Sequence, residues 1–221
     1  NNFLFIFGER QIVIYQGASD PATMSLADTI VGIGCIEHRT IRNTGNDLIF
    51  LSESGLRSIN RTIQEKSAPI GDMSKNVRSE LSGYLTGDYS FQSVYSPEEA
   101  FYLLNIKGAG VVYCFDMRGL LQDGSARVTK WDSINPQSLV HRTVSNDVLI
   151  GRSTGVAEYK GHKDGVATDG TGGAKYKMSY FTNYLDFGAP SNLKMLKNLK
   201  ITFIGGSDTA VTLNYGYDYS F

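Results

Sequence analysis

Long apolar runs and clusters of basic residues are both missing from this 221-residue sequence. No apolar run reaches the roughly 18 residues that a membrane helix needs, so the sequence predicts no membrane span. The 21 lysines and arginines are balanced by 22 aspartates and glutamates, for a formal net charge of -1. They form no basic stripe of the kind that tight nucleic-acid binders usually carry. The sequence therefore predicts neither a membrane-spanning helix nor a strongly basic protein that binds nucleic acid tightly.

Cysteine is also scarce, with only Cys35 and Cys114 present, each inside an apolar stretch. A disulfide framework needs more cysteines in a shorter secreted chain. We expect two buried free thiols and folding in a reducing compartment. The sequence starts at Asn1 without an initiator methionine or the charged region of a signal peptide. We therefore expect the chain to be the ordered core, or a piece, of a longer protein.

Histidines are few, and none stands in a metal-binding pattern. His38, His141 and His162 each lack a second ligand-type residue at a spacing typical of zinc sites. Asp164 and Asp169 lie near glycines, but their spacing is not that of an EF-hand loop and no glutamate follows at the required position. The sequence therefore predicts no metal-binding residue.

Catalytic motifs are absent or incomplete. Asp186-Phe187-Gly188 matches three letters of a kinase motif, but the glycine loop, strand lysine and catalytic loop are absent. The glycines at residues 170–173 do not follow a strand and open a helix, so they cannot place a pyrophosphate on a helix N-terminus. Sequence alone picks out no carboxylate pair of the kind used by glycosidases. We predict no catalytic or cofactor-binding residue and no cofactor, and do not expect an enzyme.

What the sequence does contain is a repeated β-meander, which ends in a turn with glycine before its last strand. The clearest copy has a polar turn at residues 43–47, an apolar strand at 48–51, Gly55, and a returning strand at 56–59. The other copies cover residues 3–15, 91–115 and 139–159, the first being truncated. The turn glycines 8, 55, 110 and 155 are 47, 55 and 45 residues apart, close to the roughly 40–50 residues of a propeller blade.

These features predict an all-β chain of β-propeller-like, repeated antiparallel meanders with one short helix. The helix is expected near residues 74–81, capped by Asp72 or Ser74 and ending before Gly83. Residues 1–161 are predicted to form the propeller-like blades. Residues 162–221 contain alternating segments at 176–184, 199–204 and 211–219, which form either closing strands or the start of a second β region. A single compact domain is the alternative. The aromatic segment at 176–184 is expected to pack against another sheet or subunit, or else to bind sugars or bases.

Six blocks of the sequence resemble the tail nozzle proteins of short-tailed phages, also called the tail tubular protein B or packaged-DNA stabilisation protein family. Together they span most of the chain in the order that the family shows. The blocks are FLFIFG with IVIY at residues 3–8 and 12–15, VGIGCI at 31–36, LIFLSESGLRSI at 48–59, APIGDMS at 68–74, NDVLIG at 146–151 with Gly155, and LDFG at 185–188 followed by residues 194–200.

The resemblance implies a structural virion protein with a propeller-like domain. It implies assembly in the host cytoplasm into a hexameric ring of the phage tail, next to adaptor and needle or fibre proteins. Double-stranded DNA would pass through the lumen without sequence-specific contacts, retained before infection and conducted during ejection. The alternatives are a propeller module of the tail that binds a ligand or receptor, which needs a pocket with clustered aromatics, and a glycan-cleaving tail enzyme, which needs a carboxyl pair in a cleft.

Overall fold

The computed structural model describes residues 2–65, 72–132 and 134–159, together with 178–181, 185, 188, 195, 197–202 and 211–216. The chain divides into two compact units, Asn1–Lys163 and Asp164–Phe221. Within the described residues, no helix has both the length and the apolar character needed to cross a membrane.

Four antiparallel sheets make up the described part of the first unit, and each is a meander whose strands pair in chain order. The all-β class predicted from the sequence is confirmed. The first sheet contains β1 (Phe3–Phe7), β2 (Gln11–Gln16) and β3 (Ser25–Val31); the second, β4 (Arg42–Asn43), β5 (Leu48–Ser52) and β6 (Gly55–Ser58); the third, β7 (Ser90–Ser96), β8 (Phe101–Lys107), β9 (Val111–Asp116) and β10 (Arg127–Trp131); the fourth, β11 (Ser138–Arg142), β12 (Asp147–Arg152) and β13 (Gly155–Glu158).

The first copy of the meander is not truncated, because β3 adds a third strand to it. The third copy likewise has a fourth strand, β10, which pairs with β9. Both additional strands carry several polar residues and are mostly exposed. Neither has the apolar run that marked the other strands in the sequence.

Two short helices accompany the sheets. The predicted helix is present as a 3₁₀ turn (Lys75–Val77) that continues into α2 (Arg78–Leu85). It does not end before Gly83 as predicted. Neither Asp72 nor Ser74 accepts a hydrogen bond from a backbone amide of its first turn. The other helix, α1 (Ile59–Glu65), was not predicted.

The sheets stack in chain order, so that the inner sheets are covered on both faces. In β5, Ile49 and Leu51 pack into the cluster shared with the third sheet, whereas Phe50 packs into the cluster shared with the first. In β8, Tyr102 and Leu104 pack toward the second sheet, whereas Leu103 packs toward the fourth. This alternation follows from the two-residue period of a strand. The apolar runs of β5 and β8 thus serve two cores each.

The first strands of the second, third and fourth sheets lie next to each other, since β7 contacts both β4 and β11. The inner strands of propeller blades are arranged in this way around a central axis. The described residues show four blade-like sheets in sequence but no closed propeller.

The C-terminal segments were expected to form long strands. Their described residues, which include 178–181, 199–202 and 211–216, have no regular secondary structure, and the expectation of closing strands or a second β region stays a prediction. The remaining residues of these segments lie outside the described part of the chain.

Candidate functional site

A polar seam joins the first strands of the second and third sheets. The guanidinium of Arg42 donates from Nε and Nη2 to the carbonyl oxygen of Ser93, at 3.0 and 2.6 Å. Ser93 Oγ donates to the carbonyl of Thr40 at 3.0 Å, and the Tyr102 hydroxyl donates to the same oxygen at 2.6 Å. Burial raises the pKa of Tyr102 well above its usual value, which keeps the hydroxyl a donor. The seam therefore holds the two sheets in one register.

A side-chain amide connects the third sheet to the fourth. Gln92 Nε2 donates to the carbonyl of Leu139 at 3.1 Å, and the Leu139 amide donates to Gln92 Oε1 at 3.2 Å. The side-chain amide of Gln92 thus pairs with the backbone N–H and C=O of Leu139, which would otherwise lack partners at the edge of the fourth sheet. Nearby, Asn105 Nδ2 donates to the carbonyl of Pro136 at 3.1 Å.

The link between the first and second sheets approaches the first hairpin closely. Cys35 N donates to the Gly8 carbonyl at 2.8 Å, and Ile36 N donates to the Leu51 carbonyl at 3.0 Å. A Cβ on Gly34 would overlap with the carbonyl oxygen of Gly8. Only glycine fits at this position without a backbone shift.

A buried cluster of polar groups brings together the third and fourth blocks of the phage-nozzle resemblance. Asp72, 2% exposed, accepts hydrogen bonds from Ser74 N and Oγ and from Arg78 Nε, at 2.8, 2.6 and 2.9 Å. Ser74 Oγ in turn accepts from the Leu56 amide at 3.0 Å. Arg57, on β6 beside Leu56, donates to Ser54 Oγ at 3.0 Å. These hydrogen bonds attach residues 72–74 to β6 on one side and to the start of α2 on the other.

An open cleft of about 310 Å³ lies between the turn after β4, helix α1 and the loop after β9. Its polar lining includes Asn46, Asn60 and Gln64, and its apolar lining includes Met73 and Tyr95. Asp47 also borders the cleft, but its carboxylate accepts from the amides of Leu48 and Asn60 and from Ser58 Oγ. That carboxylate is therefore engaged in holding the start of α1.

The histidines that lie in the described residues occupy surface positions. His38 begins the 3₁₀ turn His38–Thr40 and lies 3.2 Å from Glu37 Oε1 through Nδ1. His141 Nε2 is 2.9 Å from Asn146 Oδ1. Among the described residues, no three His, Cys, Asp or Glu side chains are grouped to hold a metal ion. His162, Asp164, Asp169, the glycines at 170–173 and Asp186-Phe187 lie outside the described residues.

The two cysteines are free thiols, as expected, and differ in burial. Cys35 is buried against Thr40, whereas Cys114 is half-buried. Burial raises the pKa of Cys35, and it raises the pKa of Cys114 to about 12. Both side chains are therefore protonated and poorly nucleophilic near neutral pH.

The sequence reasoning missed the polar residues of the seam. Arg42 lies in the two-residue strand β4, and Gln92 and Ser93 are neighbours in β7, where polar and apolar residues are mixed. Their signal is weak, because one polar residue in a strand more often faces solvent. Their partners are backbone atoms of other sheets, which no local pattern reveals.

Comparisons with known proteins add no relative to this picture. Neither a scan against protein-family models nor a search of curated proteins gave a match.

Proposed function

We propose that the chain is a structural virion protein of a short-tailed phage, part of a tail nozzle that retains packaged DNA and conducts it during ejection. In this proposal it assembles in the host cytoplasm as a homo-hexameric ring between an adaptor and a needle or fibre. It has no catalytic role.

The observation that carries the proposal is the stack of four meanders in chain order, with the first strands β4, β7 and β11 adjacent. A propeller-like domain is what the sequence resemblance implies. The third and fourth blocks of that resemblance, around Gly55 and Asp72, also meet in one buried cluster. The two blocks are separate in sequence but meet in space. Together they therefore support the resemblance more than either block does alone.

The hydrogen-bonded seams suit a mechanical part. Arg42 and Gln92 tie neighbouring sheets through backbone atoms, and the apolar cores between sheets are continuous with these seams. A conduit under DNA pressure needs sheets that do not slide past each other. Close-packed interiors with fixed polar contacts resist such sliding.

The charge pattern suits a duplex that must move. Many exposed basic residues have an acidic partner, which reduces the field that they present to phosphates. These pairs are Arg10–Glu53, Lys75–Asp123, Arg118–Asp116, Lys130–Glu80 and Arg142–Asp147. Many unpaired lysine and arginine contacts would hold the phosphate backbone tightly. Paired cations favour weak, sequence-independent contact.

The test is a mass measurement and negative-stain imaging of the purified protein, alone and with adaptor and fibre proteins of a short-tailed phage. We expect a six-fold ring with an opening wide enough for a duplex. A protein that stays monomeric with each of these components contradicts the proposal.

A second candidate function is ligand binding by a propeller-like tail module. The cleft favours it, because it offers the amides of Asn46, Asn60 and Gln64 beside the ring of Tyr95. Amides and an aromatic ring are groups that suit a polyhydroxyl ligand. Titration with host-surface polysaccharides, comparing the wild type with Asn60→Ala and with Ser79→Ala on the exposed side of α2, tests it. Binding that only Asn60→Ala weakens supports this candidate, and cleavage of the polysaccharide would support the enzyme alternative instead.

A further inference from the structure

The stack of four sheets has two outer faces, one on the first sheet and one on the fourth. The outer face of the first sheet, here called the leading face, is made of side chains from all three strands. Its members are the apolar Leu4, Ile6, Val13, Tyr15, Leu26 and Val31 and the polar Gln11 and Thr29. Leu26 is 57% exposed and Val31 is 74% exposed. No charged residue belongs to this set.

The outer face of the fourth sheet, here called the trailing face, also has an apolar side chain on each of its three strands. Val140 and Leu149 are direct neighbours across β11 and β12, and Val156 follows on β13. Val140 is 53% exposed and Val156 is 74% exposed. Glu158 lies directly opposite Leu149 on the same face. Arg142 contacts both Asp147 and Glu158, so each carboxylate has a cationic partner and the three groups together carry one net negative charge.

The strands β1 and β2 of the leading face have an apolar composition typical of buried strands. The strand β1, FLFIF, is continuously apolar, which is typical of strands buried on both faces. The terminal units of stacked repeats usually carry a polar outer face that keeps them soluble. Here the first sheet carries exposed aliphatic side chains instead. In the described residues nothing covers either outer face.

The interfaces between sheets inside the chain indicate what could cover the two outer faces. The first sheet packs on the second, the second on the third and the third on the fourth, each time through apolar faces in chain order. A second copy placed head-to-tail continues this order, because its first sheet would follow the fourth sheet of the first copy. The contact would bury Asp147 and Glu158 only together with Arg142, which contacts both; a buried charge without any partner is the most costly defect in an interface.

We propose that the leading face of one subunit binds the trailing face of a second copy of this chain. The contact is heterologous, and repeated around a closed path such contacts form a ring. This inference rests on the proposed function to the extent that it supplies the subunit contact of the ring.

The test uses the 221-residue chain in sedimentation velocity and size-exclusion chromatography with light scattering. Leu26→Glu places a charge on the leading face, and Val140→Glu places one on the trailing face. Ser79→Glu, on the exposed side of α2, is the matched control. We expect the wild type and the control to self-associate, and we expect each face variant alone to be a monomer.

The decisive measurement is the mixture of the two face variants. Leu26→Glu keeps an intact trailing face, and Val140→Glu keeps an intact leading face, so together they can form one contact. We expect a 1:1 dimer and nothing larger. A monomeric wild type, unchanged association of either variant, or a mixture that remains monomeric overturns the proposal. A dimer of Val140→Glu alone would indicate a leading-to-leading contact and also overturns it.

Two further readouts keep the outcomes separate. Circular dichroism and thermal melting verify that each variant is folded, and Val31→Glu with Val156→Glu is the second pair if one of the first variants is not. Negative-stain images of the doubly substituted Leu26→Glu/Val140→Glu protein with tail components separate the two proposals. A ring in those images overturns this contact and leaves the nozzle proposal standing. Paired variants that dimerise as expected, in a protein that joins no tail component, contradict the nozzle proposal alone.

Discussion

The third and first sheets have the same meander topology but opposite surroundings. In the third sheet, β8 is buried along its length except at Lys107, because the second and fourth sheets cover its two faces. In the first sheet, β1 has the same kind of apolar sequence, yet most of its residues are exposed or half-buried. This difference shows that an apolar run indicates how many faces of a strand could be buried. The neighbouring sheets determine how many faces are in fact buried.

The largest effect is expected from shortening a side chain of the third sheet that lies in the core shared with the second sheet. Leu104 is fully buried between the second and third sheets, and Leu104→Ala leaves a cavity that costs about 2–5 kcal/mol of unfolding free energy. Leu26→Ala on the first sheet, measured at concentrations where the chain is monomeric, should change stability by less than about 0.5 kcal/mol. Urea unfolding curves measure both. Equal losses would contradict the contrast between the two sheets.

The second effect concerns the link that joins the first sheet to the second. Gly34→Ala would place a Cβ on the Gly8 carbonyl, so the backbone must shift, and we expect a loss of about 2–3 kcal/mol. Gly83→Ala is the control, because nothing lies within 4 Å of a Cβ there and alanine favours α2 by up to about 1 kcal/mol. Thermal unfolding compares the two. A neutral Gly34→Ala would show that the first sheet is only loosely attached.

A smaller effect is expected at the seam between the third and fourth sheets. Gln92→Ala leaves the amide and the carbonyl of Leu139 without their side-chain partner, which should cost about 1–2 kcal/mol. Gln16→Ala removes an amide that bonds only to Ser25 Oγ at the surface and serves as the control. Hydrogen exchange at the Leu139 amide measures the seam directly. Exchange that stays as slow in Gln92→Ala as in the wild type would contradict the role of this side chain.

Parts of this architecture could be predicted from sequence because their causes are local. Glycine at position 55 ends a hairpin with φ of +127°, and the spacing of such turns revealed the repeat. Helix α1 was missed, although Ser58 precedes Ile59, Thr62 and Ile63 at helical spacing, because residues 56–59 continued the strand pattern. The order of the sheets and the two outer faces could not be predicted. They depend on contacts between residues far apart in sequence, such as Arg42 with Ser93.

The smallest effect concerns α2, which rests on the outer edge of the third sheet through Glu80. The Tyr113 hydroxyl donates to Glu80 Oε2 at 2.5 Å and Lys130 Nζ donates to Oε1 at 2.9 Å, and these contacts hold the pKa of Glu80 below its usual range. A carboxyl group whose pKa is lower in the folded state than in the unfolded state stabilises the protein at pH values above its unfolded-state pKa. This stability is lost as the pH falls through the folded-state pKa.

Because Glu80 is half exposed, we expect it to contribute less than about 1 kcal/mol to the free energy of unfolding. The stability of Glu80→Gln, measured by urea unfolding, should therefore depend less on pH below about pH 4.5 than that of the wild type. Tyr113→Phe, which keeps the ring and removes the first donor, should weaken that dependence in part. A pH profile of Glu80→Gln that overlays the wild type would show that α2 is held by Leu81 and its apolar neighbours alone.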